Sequence, residues 1–263
     1  SFNGCTSISG DVTLTDYAAQ SIGTDAFLGC SFDSLIVHPA TISVDQGEYD
    51  YFKDYEIKLV LSRGLSGVTN DGFADYKFTG DLTLPATLEY IGDRAFFNCT
   101  GFDGFYNFQS SAVRFIGDSA FYNMDQMNGD LIFPDTLLNV GDSAFYNNSS
   151  VDGRIVFGDQ TTGIGAYSFY NVRNAYGSLV IPNSVSGVGS FAFFDCTGLD
   201  GNLTLGNQML VIKESTFENC NNLFGDLIIP DSVLDIENNA FKNCFGFIAD
   251  LTITDIAANS LNG

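Results

Sequence analysis

Phe121, Phe145, Phe169, Phe193, Phe217 and Phe241 recur at an interval of 24 residues, and Phe2, Phe27, Phe73 and Phe96 extend the series backward with small slips. A unit this short cannot bury an apolar face by itself. It must stack on its neighbours, so residues 1–263 are expected to form a single quasi-one-dimensional solenoid. The length allows about eleven turns, in a rod on the order of 50 Å long if stacked strands lie about 4.8 Å apart.

The unit reads Asp-Leu-x-Ile-Pro-x-Ser-Val-x-x-Ile-Gly-Asp-x-Ala-Phe-x-Asn-Cys-x-x-Leu-x-Gly, most clearly over 226–247 and 130–152. Leu82-Thr83-Leu84, Leu131-Ile132-Phe133, Leu179-Val180-Ile181, Leu203-Thr204-Leu205 and Leu227-Ile228-Ile229 read as short parallel strands. Pro85, Pro134, Pro182 and Pro230 end four of them, because proline lacks the N–H that a ladder needs. The segments beginning at Ile91, Ile116 and Val140 are expected to run extended and then enter a short helical or 3₁₀ turn capped by the following Asp.

Ile229-Pro230-Asp231-Ser232-Val233, followed by Ile236-Glu237-Asn238-Asn239-Ala240-Phe241-Lys242-Asn243-Cys244, resembles the BspA-like class of leucine-rich repeats, a family of bacterial and protist surface proteins. The resemblance covers nearly the whole chain. It implies a leucine-rich-repeat-like right-handed stack, an extracellular or cell-surface location, and adhesion to a host, matrix or neighbouring cell. Residues 31–77 depart from the pattern: two units fit there, but both lack the Ala-Phe-x-x-Cys signature.

Ten basic residues against 32 acidic ones give a net charge of −22, which argues against nucleic acid and anionic membrane surfaces as partners. The charge solvates a rod whose open ends would otherwise associate. No apolar stretch approaches the roughly 18 residues of a spanning helix, so membrane insertion of this segment is not expected.

All six cysteines (Cys5, Cys30, Cys99, Cys196, Cys220 and Cys244) follow the repeat Phe by three residues. The same phase elsewhere carries Tyr76, Met124, Asn148 and Val172. A position that accepts Met or Val is expected to be a buried core column of free thiols rather than a set of disulfides or a zinc site. The tripeptides at Asn98, Asn147, Asn148 and Asn202 fit the N-glycosylation acceptor pattern for a eukaryotic source.

Catalysis is not expected. His38 is the single histidine, placed at the end of the apolar run Leu35-Ile36-Val37, and no phosphate-cradling loop or two-histidine metal motif occurs. Carboxylates do align. One column reads Asp81, Tyr106, Asp130, Arg154, Ser178, Asn202, Asp226, Asp250, and another Asp93, Asp118, Asp142. Stacked like charges require capping by N–H groups or a bridging cation, so calcium is the one cofactor the sequence leaves open.

Residues 46–55 concentrate aromatic and acidic groups. Tyr49, Asp50 and Tyr55 are the candidate contacts for a protein or glycan ligand, while Tyr51 or Phe52 fills the core place of the missing repeat Phe. Residues 11–21 also match 250–260 at seven of eleven positions, a spacing of 239. The chain therefore reads as one long module plus the first unit of a next. Two functions follow: a non-catalytic adhesion scaffold, or a self-assembling fibre or sheath subunit whose modules stack end to end on copies of themselves.

Overall fold

The structure, a computed structural model, describes residues 8–14, 27, 29–37, 43–47 and 50–253. The chain coils into a parallel-strand solenoid of about nine turns rather than eleven. Its spine is a nine-stranded parallel sheet formed by Ser43–Val44, Gly67–Val68, Tyr90–Ile91, Phe115–Ile116, Asn139–Val140, Gly163–Ile164, Gly187–Val188, Val211–Ile212 and Asp235–Ile236. Each strand contributes a residue to this sheet one turn after its predecessor, with Asn139 against Phe115 and Gly163, for example. At the usual spacing the stack is about 40 Å long.

The expected Leu-x-Ile strands form a second, interrupted face of short parallel pairs, such as Leu131–Ile132 with Ile155–Val156 and Leu179–Val180 with Leu203–Thr204. Where a proline follows the strand, it turns the chain. Leu88, Leu137, Val185 and Val233 donate their amides to the carbonyls of Pro85, Pro134, Pro182 and Pro230, all at 3.0 Å.

The segment expected to be helical is not. Among the described residues the one 3₁₀ turn is Asp50–Phe52. In the turn that carries Phe96, Arg94 and Asn98 have φ of 57° and 58°, and the same two phases are left-handed from Asp71 to Asn243. These kinks stop helix propagation and point alternate amides at the neighbouring turn. Arg94, Phe96 and Asn98 donate to the carbonyls of Asp118, Ala120 and Tyr122 at 2.7–2.8 Å, while Ala95, Phe97 and Cys99 close tight turns locally. Asn and Asp tolerate this conformation best, which is why the second phase is Asn or Asp in every unit from Asp75 to Asn243.

The repeat phenylalanines fill the core as one stack. Rings of Phe96, Phe121, Phe145, Phe169, Phe193, Phe217 and Phe241 follow one another at 5.0–5.6 Å and within 18° of parallel. Each of the first five is fully buried on that chain of contacts; a side chain of this size removed from water contributes about 2–3 kcal/mol. In the divergent segment Phe52 takes the core place and stacks on Phe27 at 5.7 Å. His38 lies outside the described residues, and the match of 11–21 to 250–260 lies partly outside them.

Candidate functional site

Conserving space along the axis forces the units to share hydrogen bonds, and the consensus polar residues supply them. Cys99, Cys196, Cys220 and Cys244 donate their thiols to the carbonyls of Phe73, Phe169, Phe193 and Phe217, one turn back, at 2.9–3.2 Å. Asn148 occupies the same phase and does the same with its amide, donating Nδ2 to the Phe121 carbonyl at 2.8 Å while accepting the Tyr106 hydroxyl at 2.9 Å. Burial pushes the Cys99 and Cys244 thiols up to about 12 and raises Cys220 as well. Such thiols are poor nucleophiles. Cys30 is also buried; Cys5 lies outside the described residues.

The carboxylate column Asp93, Asp118, Asp142 caps the next turn rather than its own. Asp93 Oδ1 accepts the Asp118 amide, Asp118 Oδ1 the Asp142 amide and Asp142 Oδ1 the Ala166 amide, at 2.7–2.9 Å. The other column is corrected by one position: Tyr106 pairs with Leu82 and is buried, so Phe105 follows Asp81. Asp226 pairs with Ile248 across a register shift, not with Asp250. Asp130 and Arg154 do meet, at 2.9 Å, and hydrogen bonding by Arg154 holds the Asp130 carboxyl below its ordinary range. Among the described residues no three His, Cys, Asp or Glu side chains group around a metal position.

A third column is an asparagine ladder. Asn98, Asn123, Asn147 and Asn171 pass Nδ2 to Oδ1 from turn to turn at 2.6–3.0 Å, starting on Asp75. It stops at Asp195, whose side chain has no N–H to give, so Asn171 Oδ1 is buried without a partner among the described residues. Asp195 instead pairs with Arg173. These bonds bear on the glycosylation pattern: Asn148 is fully buried with both ends of its amide engaged, so it is no acceptor in the folded chain. Asn98 and Asn147 are half-buried in the ladder, and Asn202 is exposed at a strand start.

Of the candidate binding residues, Tyr49 lies outside the described residues. Asp50 accepts the Tyr76 hydroxyl at 3.1 Å, and Tyr55 is drawn inward: its hydroxyl donates to the Phe27 carbonyl at 2.6 Å and its ring packs on Phe32 and Phe52. Tyr55 is thus half-buried, with its hydroxyl already engaged within the chain. Phe32 and Phe52 offer a dry place for its ring, and the carbonyl satisfies its hydroxyl.

Two surface features lay hidden in the repeat. Tyr122, Tyr146, Tyr170 and Phe194 form an outer aromatic stack at 4.7–4.8 Å, but face-to-face packing covers the ring faces and leaves mainly edges to solvent. On the interrupted sheet the outward residues Ile132, Val156, Val180, Thr204 and Ile228 make a β-branched column, with Val156, Val180 and Ile228 exposed at 39%, 52% and 64%. Exposed carboxylates flank it. Asp152, Asp200 and Asp226 precede the strands, and Asp135, Asp159 and Asp231 follow them.

The model of the BspA type leucine-rich repeat region matches residues 1–103, 66–200 and 114–248, in six copies. The chain belongs to this family. A leucine-rich repeat protein from Bacteroides ovatus has a similar fold, with a TM-score of 0.56, 18% identity, and coverage of 94% of this chain and 67% of that one. The Treponema pallidum leucine-rich repeat protein is 19% identical with a TM-score of 0.47, covering 92% of this chain and 85% of its own. The pneumococcal vaccine antigen PcpA is 18% identical with a TM-score of 0.47, covering 87% and 68%. The comparison with curated proteins returned no match.

Within this BspA-type repeat the consensus residues are consumed by stacking: Phe and Cys by the core, Asp and Asn by the turn-to-turn ladders. What varies from unit to unit is the set of outward positions on the two sheets. A repeat scaffold presents its contacts there. Among the described residues no helix is long and apolar enough to cross a membrane.

Proposed function

We propose that this chain is a non-catalytic adhesion scaffold at the cell surface or outside the cell, contacting a protein partner through the interrupted sheet. The observation that carries the reading is the outward column Ile132, Val156, Val180, Thr204 and Ile228, with Val156, Val180 and Ile228 exposed, between two rows of carboxylates. A stripe of apolar side chains on an otherwise acidic rod is a cost in water unless something covers it. The complementary occupant is a protein surface with an apolar centre and a rim of Lys and Arg, because the net charge of −22 repels an acidic one.

The surface location rests on membership of a family of surface repeat proteins. Antibody labelling of intact cells of the source, compared with permeabilised cells, tests it. Labelling of intact cells is expected; signal confined to permeabilised cells contradicts the extracellular part of the reading while leaving the protein contact to be tested separately.

A further inference from the structure

On the long sheet the outward residue of the two-residue strand is a side chain of some size at Tyr90, Phe115, Asn139 and Val211, but glycine at Gly67, Gly163 and Gly187. Two of these glycines have neighbours that account for them: a Cβ at Gly67 would lie 1.9 Å from the Tyr90 ring, and one at Gly163 would lie 2.5 Å from Asn139 Oδ1. Glycine weakens a strand, so its presence in a strand interior needs a reason. At Gly187 the fold supplies none. Its φ is not positive, and a Cβ built there would meet no atom within 4 Å. Gly189, two residues on, is different: its Cβ would lie 2.2 Å from the Ala166 amide nitrogen, so close stacking alone requires it. The paired strands Gly163–Ile164 and Gly187–Val188 floor an open trough of about 440 Å³, with the Asn139 side chain over Gly163 and the face of Gly187 bare. That volume falls in the roughly 300–1,000 Å³ range of small-molecule sites.

The walls are polar and uncommitted. Asp118 and Asp142 each engage one carboxylate oxygen with the next turn's amide and leave the other without a partner among the described residues. Asn139, Ser186, Ser190 and Lys213 line the same trough, and their side chains make no hydrogen bond or ion pair with the described residues. This donor and acceptor set selects by chemistry. An apolar ligand would leave the walls unpaired on burial. Phosphate or sulfate would face two carboxylates, and a chelated cation would lack a third ligand of its preferred kind. A ligand whose many groups both donate and accept matches amide, hydroxyl, carboxylate and ammonium together. The bare face of Gly187 lets a flat ring approach the backbone there.

The geometry points to a saccharide site, in which a neutral mono- or disaccharide lies on Gly187 beside Asn139 with its hydroxyls bonded to Asn139, Asp142, Ser186 and Ser190. This site is separate from the apolar column of the interrupted sheet and does not depend on it.

Saturation-transfer NMR on the whole chain tests the site with lactose, maltose, cellobiose and diacetylchitobiose, each on the order of 10 mM. Inorganic phosphate and calcium chloride serve as competing probes. Gly187→Val fills the floor with a residue that suits a strand, so its thermal midpoint should be no lower than that of the parent. At least one disaccharide is expected to receive saturation, and Gly187→Val is expected to weaken that binding by about tenfold or more. Should Gly187→Val fail to fold, Asn139→Ala carries the comparison with a loss of several-fold. No transfer to any of the four sugars, unchanged binding in the folded variant, or displacement of the sugar by phosphate or calcium would each overturn the proposal.

Discussion

Asn148 shows how one residue can satisfy the repeat with different chemistry. In the phase where other turns have Cys, it bonds the same Phe carbonyl and adds a bond to Tyr106, 42 residues away. Asn148→Ala should cost about 2–4 kcal/mol in chemical denaturation, since a buried hydroxyl and a buried carbonyl both lose their partner. Asn148→Cys should recover part of that, because a thiol serves the carbonyl in four other turns but leaves Tyr106 unpaired. The thiols themselves predict an alkaline limit. Their pKa is raised on folding, so their contribution is complete below the unfolded value of about 8.5 and declines as pH rises toward about 12. The melting midpoint should therefore fall between about pH 8.5 and 11, and the fall should be shallower in Cys99→Val/Cys244→Val; identical slopes would remove the thiols as its cause. The burial of this column was legible because its substitutes are Met and Val. The double role of Asn148 was not, since nothing in a 24-residue period announces a contact across two turns.

At the scale of the element, the repeat was readable where burial repeats and unreadable where backbone sign decides. Leu-x-Ile followed by proline gave real strands and real turns. The Asp-x-Ala-Phe-x-Asn segment looked helical because its apolar pair sits between polar residues, yet two left-handed residues four apart redirect every second amide to the next turn. Side-chain carboxylates then follow those amides across the gap instead of capping locally. The continuous sheet consequently forms at the Ile-Gly step, where units approach most closely. Gly141 illustrates the closeness: a Cβ there would lie 2.5 Å from the Gly117 carbonyl carbon, a backbone atom that cannot swing aside. Gly141→Ala should lower stability by roughly 2 kcal/mol or more, measured by denaturant midpoint, because the stack must open locally to admit it. A neutral outcome would mean that the turns slide more freely than the ladders imply.

For the whole molecule, the ladders give a stack in which consensus residues hold turn to turn and outward residues remain free to differ. The divergent segment 31–77 was a reasonable place to look for recognition, but the structure uses Phe52 and Tyr55 as core and near-core residues there. The exposed Ile and Val column and the glycine-floored trough escaped notice because each is a comparison of one phase across turns, visible only after the register is known. Contact with a protein partner through the interrupted sheet is read out by adherence. Beads coated with the chain, with Val180→Lys/Ile228→Lys, or with Val180→Thr/Ile228→Thr can be scored on a panel of immobilised matrix proteins at low and physiological salt. Parent beads should adhere to at least one member, more strongly at low salt; the Lys pair should reduce adherence by about tenfold or more, and the Thr pair by less. Equal adherence by all three, or no adherence by the parent to any surface, would contradict the assignment of the interrupted sheet as the binding face.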